Sequence, residues 1–242
     1  YKRQPQHHDD LNFEALMFGG WINVMRTAAA CGLATDLLAR KDAGTVAIIG
    51  SGRQARRQLA AVCAVRPISR ALVYSPTREH RETFAAEMRT ELDLDVVAVP
   101  STQQALEPAD IICAATRRPP APAVPSSWVA EGAHVNSIGS SNEADEALVR
   151  RSRIVVSNKD QVLNDEPPRQ PYATMLAAGQ LSPADLSVQL ADVVTGSQPG
   201  RRSPSEVTLF VSPGSALWDV AVAARIYQRA RERGAGTDVP LA

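Results

Sequence analysis

The chain has no excess of charge: its 242 residues carry 26 Lys and Arg against 26 Asp and Glu. Without a basic surplus it has no electrostatic footprint for a phosphate backbone or an anionic bilayer, so a small metabolite is the expected ligand, with no nucleic acid and no membrane as partner. Cysteine is scarce. The three present, Cys31, Cys63 and Cys113, sit in apolar stretches and lack the spacing of a metal site or a redox pair, so they read as buried thiols in a reducing cytoplasm, with no metal implied. No apolar run approaches a bilayer span and the first residues do not resemble a secretion signal, which predicts a soluble, cytoplasmic protein. Repeats and low-complexity tracts are absent too. The abrupt start at Tyr1 suggests that preceding residues, and some loop residues, are missing.

What is present is organised around one stretch. The run Thr45-Val46-Ala47-Ile48-Ile49 leads into Gly50-Ser51-Gly52-Arg53-Gln54-Ala55, and helix formers continue to Val62. Glycines two apart, with a small residue three further on, between a β-branched run and a helix are the turn of a dinucleotide fold. Gly50 permits the tight turn, Gly52 lets the backbone approach a pyrophosphate, and Ala55 keeps the helix close to its strand. The anion would meet unpaired N–H groups at the positive end of that helix. Glycine turns of this kind also occur with nothing bound; the strand before and the helix after weight this one toward a cofactor.

In chain order, the polar opening through Asp10 reads as loop, with His7-His8 a solvated pair rather than a metal site. Phe13 to Val24, around Gly19-Gly20, reads as a hairpin, and Val24 to Arg40 as an Ala-rich helix. Strands are predicted at 45–50, 71–75, 95–99, 110–115, 134–138 and 153–157, and helices at 53–65, 78–92, 101–107 and 143–151, with Ser101 as an N-cap. That alternation predicts an α/β fold, a parallel sheet covered on both faces. Pro119, Pro120, Pro122 and Pro125 break the chain after the fourth strand, at a carboxyl end where ligands of such sheets bind. Beyond Asp160 the regularity ends: Pro167-Pro168 and the segment 198–202 mark loops with one or two short helices between them. A strand over 207–211 and a long amphipathic helix from Gly214 to Arg233, stopped by Gly234, complete the chain. This last helix is placed to rejoin the N-terminal part in a second, discontinuous domain.

The second strand runs into Ser75-Pro76-Thr77-Arg78, with no acid to accept bonds from both ribose hydroxyls. A hydroxyl and a cation suited to a 2′-phosphate stand there instead, favouring NADP(H) modestly over NAD. Arg78 also reads as a first-turn surface residue.

Five motifs then lie in an order that resembles the ornithine cyclodeaminase/mu-crystallin family: Arg26-Thr27-Ala28-Ala29-Ala30, the glycine loop, Ala109-Asp110-Ile111-Ile112 with Ala115-Thr116, the segment 132–140, and the segment 208–214. The resemblance implies a Rossmann-type dinucleotide domain over 41–212 and a discontinuous substrate and dimerisation domain from 1–40 with 213–242, hence a homodimer. It implies chemistry through an imine or a 2-oxo acid, on an amino-acid-like substrate, with NADP or NAD. Arg53, Gln54, Thr116, Val135, Asn136, Ile138 and Ser212 would line the cofactor, beside Gly50, Gly52, Ser75 and Arg78. Arg26 matches the arginine that meets the substrate carboxylate; a planar guanidinium suits that task, although an arginine at a helix start also serves as a solvated cap. The family's acid/base lysine lies upstream of this arginine. Lys2 is the lysine available there, at a shorter separation than the family's, and reads equally as a tail cation.

The departure from the family pattern is Ser141, where cyclodeaminases and alanine dehydrogenases carry an aspartate. A hydroxyl cannot take up a proton near neutral pH. Hydride transfer at the Cα of an amino acid, imine or opine-like conjugate is therefore the first reading, with a place in secondary metabolism suggested by the departure. A non-catalytic binder of NADPH and a small ligand, of the mu-crystallin type, is the second. A redox-neutral cyclodeaminase would need another carboxylate, with Glu143 the candidate.

Overall fold

The strands are β1 (Thr45–Ile49), β2 (Arg70–Tyr74), β3 (Asp95–Ala98), β4 (Ile111–Ala114), β5 (His134–Ser137), β6 (Ser152–Val156) and β7 (Val207–Val211). They pair, all parallel, in the order β3-β2-β1-β4-β5-β7-β6. Between them lie α1 (Gly19–Leu38), α2 (Arg53–Cys63), α3 (Arg78–Leu92), α4 (Thr102–Leu106), α5 (Glu146–Arg151), α6 (Lys159–Leu163), α7 (Tyr172–Ala177), α8 (Leu190–Val194) and α9 (Ala216–Glu232). The computed structural model describes residues 14–117, 122–139, 142–164 and 168–238; Lys2, His7-His8, Pro119, Pro120, Ser141 and Pro167 lie outside them.

Strand alternation sends side chains into two core layers. From β1, Val46 and Ile48 pack with Leu59, Phe84 and Met88 of α2 and α3, whereas Ala47 and Ile49 join Leu106, Leu148 and Met175 on the other face. Every position of β4, β5 and β7 is buried, as expected of parallel strands covered on both sides. The sheet order reverses beside β1, where β2 and β4 flank it, and this opens a crevice at the carboxyl ends.

Several expected boundaries move. No hairpin forms over the described part of 13–24, because α1 begins at Gly19. Burial of Ile22, Val24, Ala28, Ala30 and Ala34 on one continuous helix outweighs the poor helix propensity of a glycine pair confined to its first turn. Farther along, Gly32 lies against α2 so closely that an added Cβ would stand 3.1 Å from the Ala61 carbonyl. The helix expected from Glu143 starts at Glu146, since Asp145 caps it by accepting the Leu148 N–H at 2.7 Å. Ser101 caps α4, accepting the Gln104 N–H at 3.3 Å. Cys31 and Cys113 are buried, but Cys63 is only half-buried, at the last turn of α2. Burial pushes the Cys113 thiol up to about 12 and that of Cys63 to about 11.

The final helix, α9, packs on α1 and buries none of its residues. Its Leu217, Val220 and Ile226 stay exposed, as do Trp21 and Met25 of α1.

Strand β5 opens on His134, which is fully buried with Nδ1 2.9 Å from Thr208 Oγ1. Burial, reinforced by the nearby Arg201 guanidinium, pushes its pKa down to about 3. The imidazole stays neutral in the folded chain and gains a proton on unfolding below about 6.5. Its contribution is therefore complete above that value and is lost as pH falls from there toward 3. By pH 5 the loss is about 2 kcal/mol. Urea unfolding at pH 7 and pH 5 should show a smaller pH effect in His134→Gln than in the parent chain; equal effects would remove His134 as the cause.

Candidate active site

Two bonds knit the loop after β1 to its neighbours: Gly50 N–H donates to the Tyr74 carbonyl at 2.8 Å, and Ala115 N–H to that of Ile49 at 2.9 Å. Gly50 has φ +111°, and a Cβ there would stand 2.6 Å from the Ala115 carbonyl. Gly52 differs, because an added Cβ would meet nothing within 4 Å. That open space fronts the first turn of α2, whose N–H groups have no helical partner. Arg53 is exposed beside it, and Ala55 is fully buried against the sheet.

The loop is braced from the side. Ser51 Oγ donates to Ser75 Oγ at 3.0 Å, and Ser75 Oγ to the Thr77 carbonyl at 3.3 Å, tying the turn to the end of β2. Arg56 donates to the Ser51 carbonyl, pairs with Glu87 and lies over the Phe84 ring at 5.2 Å. Arg78 is exposed and paired with Glu82 at 2.6 Å.

Facing the loop is a cleft of about 230 Å³, bordered by Arg26, Gln54, Thr116, Ile138, Ser212 and Gly214. Residues from α1, α2 and the ends of β4, β5 and β7 are thus brought together. Gln54 Nε2 donates to Asn23 Oδ1 at 3.2 Å, while its buried Oε1 has no partner among the described residues. Val135 and Asn136, although next to this region in sequence, turn inward. Val135 lies in the core, and Asn136 Nδ2 donates to Thr35 Oγ1 at 2.9 Å, fastening β5 to α1. Asp110 sits at the amino end of β4, accepting the N–H groups of Gly44 and Thr45 at 2.9 and 3.0 Å.

Arg26 is only 8% exposed. Its Nε donates to Asp219 Oδ1 at 2.8 Å and its Nη2 to Oδ2 at 3.3 Å, which fixes the guanidinium plane. Nη1 makes no hydrogen bond among the described residues, and an added Cβ on Gly214 would stand 3.6 Å from it. A charged fork, anchored on one edge and bare on another at the cleft wall, suits a small carboxylate.

Glu143 is 1% exposed. Oε1 accepts Thr116 N–H at 2.9 Å and Thr116 Oγ1 at 2.8 Å, and Oε2 accepts Ser137 Oγ at 2.8 Å and Gly139 N–H at 3.0 Å. Burial, the largest effect, raises its pKa, and the four donors offset only part of that rise. With each oxygen taking two bonds inside the protein, this carboxylate is not placed to serve a cyclodeaminase as its missing base. The roles of Arg56, Asp219 and Glu143 were not legible as such in the sequence, since each works through a partner distant along the chain or across a loop.

Among the described residues no helix is long and apolar enough to cross a membrane, and no cluster of potential metal ligands occurs.

The fold and this crevice have known relatives. The model of the ornithine cyclodeaminase/mu-crystallin family matches residues 12–234. The chain belongs to that family. It is 33% identical over 227 residues to a Δ1-pyrroline-2-carboxylate reductase of Bacillus cereus, covering 92% of this chain and 68% of the relative. Among solved structures, the Δ1-pyrroline-2-carboxylate reductase of Thermococcus litoralis in complex with NADH and L-proline superposes with a TM-score of 0.85 at 39% identity, over 91% of this chain and 68% of that one. An archaeal alanine dehydrogenase dimer with bound NAD gives 0.82 at 28% identity, over 92% and 68%.

Proposed function

We propose that this family member is an NAD(P)-dependent oxidoreductase that moves a hydride between the nicotinamide and the Cα of a small imino or amino acid. Cyclic imines of the Δ1-pyrroline-2-carboxylate kind are the first substrates to try. The observation that carries this reading is the buried Arg26, oriented by Asp219 and bare on one edge, in the same crevice as the glycine loop. The residues present suit a dinucleotide: the open space at Gly52, the N-terminus of α2 and the unpartnered Gln54 Oε1 form a cradle for its diphosphate and amide groups. When bound, the nicotinamide supplies or accepts the hydride. Gly52, Arg53 and Gln54 would hold the phosphates, Thr116, Ile138 and Ser212 the nicotinamide end, and Arg26 the substrate carboxylate, so that Cα is presented in one orientation. Val135 and Asn136 would support that end from the interior. Reduction of C=N adds a proton at nitrogen as the hydride reaches carbon; Lys2 is the candidate donor by family position.

The two solved relatives described above hold NADH and NAD, and the absence of an acid after β2 leaves room for a 2′-phosphate beside Ser75 and Arg78. NADP(H) is accordingly proposed as the slightly preferred cofactor. Segments 1–40 and 213–242 are assigned to substrate binding and dimerisation, which gives a role to the apolar side chains that α1 and α9 leave exposed.

The test titrates NADPH and NADH by nicotinamide fluorescence, then follows loss of reduced-nicotinamide absorbance with cyclic imines and with 2-oxo acids plus amines. Saturable binding and oxidation dependent on an imine carboxylate are expected, from a particle of dimer mass in sedimentation. Binding without oxidation across the screen would favour the non-catalytic alternative.

A further inference from the structure

We propose that Glu143 is a positioning residue for the cofactor: its carboxylate clamps the loops leaving β4 and β5 so that Thr116 and Gly139 present a fixed surface to the nicotinamide side of the cleft. The inference rests on the nicotinamide reading above and adds to it a residue that does not border the cleft.

The geometry separates Glu143 from an ordinary buried acid. Its oxygens divide between the loops, Oε1 taking both donors of Thr116 and Oε2 taking Ser137 Oγ and Gly139 N–H. Two of those four donors are peptide N–H groups of residues that border the cleft. Turning either peptide over would leave its N–H unpaired and a carbonyl facing the carboxylate. The fit is steric too. A Cβ on Gly139 would fall 2.1 Å from Oε1 and 2.7 Å from the Thr116 carbonyl, so the carboxylate fills the place a side chain at 139 would need. From elsewhere in the fold, Arg169 Nη2 donates to the Gly139 carbonyl at 2.8 Å, so both backbone polar groups of Gly139 are held, one in each of its flanking peptides. Four donors converging on four lone-pair sites call for the ionised carboxylate, and an amide of the same size cannot replace it.

Glu143→Gln tests this, with thermal melting of the nucleotide-free chain measured alongside NADH affinity and the imine KM. In the variant an NH₂ group faces two donors, so one peptide N–H loses its acceptor. NADH affinity is expected to fall about tenfold, with the imine KM at saturating NADH within about twofold of the parent. Ser137→Ala, which removes one donor and leaves both peptide bonds in place, covers the case in which Glu143→Gln does not fold. It should weaken NADH about threefold. Folded variants with lowered melting temperatures but parental NADH affinity would reduce Glu143 to a structural brace and overturn the proposal. A parent chain that binds neither nucleotide would remove the functional reading, and the clamp with it; normal parental binding with unmoved variants removes the clamp alone.

Discussion

Replacing Arg26 by alanine is expected to lower kcat/KM for the imine by about a thousandfold while NADH affinity stays within about twofold. A thousandfold corresponds to about 4 kcal/mol, within the range for losing one partner of a desolvated, hydrogen-bonded charge pair. The environment of Arg26 argues for the upper part of that range. Its side chain is 7% exposed, whereas that of Asp219 is 34% exposed, so water can take over the orphaned aspartate but cannot easily reach a carboxylate left without its guanidinium. Folding should therefore suffer less than turnover. Arg26→Lys keeps the charge and loses the fork: a lysine reaching Asp219 has no second rigid edge for the substrate, and most of the loss should remain. Asp219→Asn should fall between parent and Arg26→Ala, because the guanidinium stays but its plane is no longer set by two charge-assisted bonds. Steady-state rates against imine concentration, with fluorescence titration of NADH on the same preparations, read both quantities. Parental turnover in Arg26→Ala would take Arg26 out of the site.

The sheet was legible because its signals are local. A strand covered on both faces is mostly apolar, so β1, β4 and β7 stand out as short apolar runs, and the glycine loop follows the first of them directly. The equally buried β5 carries His134, Asn136 and Ser137 and is less plain. What was not legible arises between distant residues. Gly19-Gly20 looked like a turn because glycine is a poor helix former, yet the helix is decided by packing against α2, which no window around residue 20 contains. The insertion of β7 between β5 and β6 has no local signature either. The same division runs through the site. Gly50 and Gly52 declare themselves by spacing, but Asp219 is separated from Arg26 by 193 residues, and Glu143 in the bare sequence reads as a replacement base for the carboxylate absent at Ser141. Only the folded chain turns all four donors onto it. Family position pointed Val135 and Asn136 toward the cofactor, yet on a strand buried on both faces their side chains are committed to the core and to Thr35; a contact through the backbone is what such a position leaves open.

Gly50→Ala and Gly52→Ala should fail in opposite ways, although the residues lie two apart in one motif. At Gly52 an added Cβ meets nothing within 4 Å and φ is −80°, a value any residue adopts. Alanine there should leave folding intact, or stabilise it by about 0.4–1 kcal/mol by restricting the unfolded chain. The methyl group would nevertheless stand in the space before the α2 N-terminus that a diphosphate must enter, so NADH affinity should fall by about a hundredfold, roughly 2.7 kcal/mol. At Gly50, φ is +111° and the Cβ would sit 2.6 Å from the Ala115 carbonyl. Backbone strain of about 1–3 kcal/mol then adds to a clash that only a shift between β1 and β4 relieves. A total of roughly 3–5 kcal/mol is a large share of the usual stability of a domain, and should lower the melting temperature by about 10 °C. Melting curves with and without NADH distinguish the two. Gly52→Ala should melt like the parent without nucleotide and lose most of the upward shift that NADH gives, whereas Gly50→Ala should melt low under both conditions. If Gly52→Ala kept the full shift, the diphosphate would bind elsewhere and the glycine loop would be only a turn. Low melting of Gly52→Ala without nucleotide would mean that the space before α2 is filled in the folded chain.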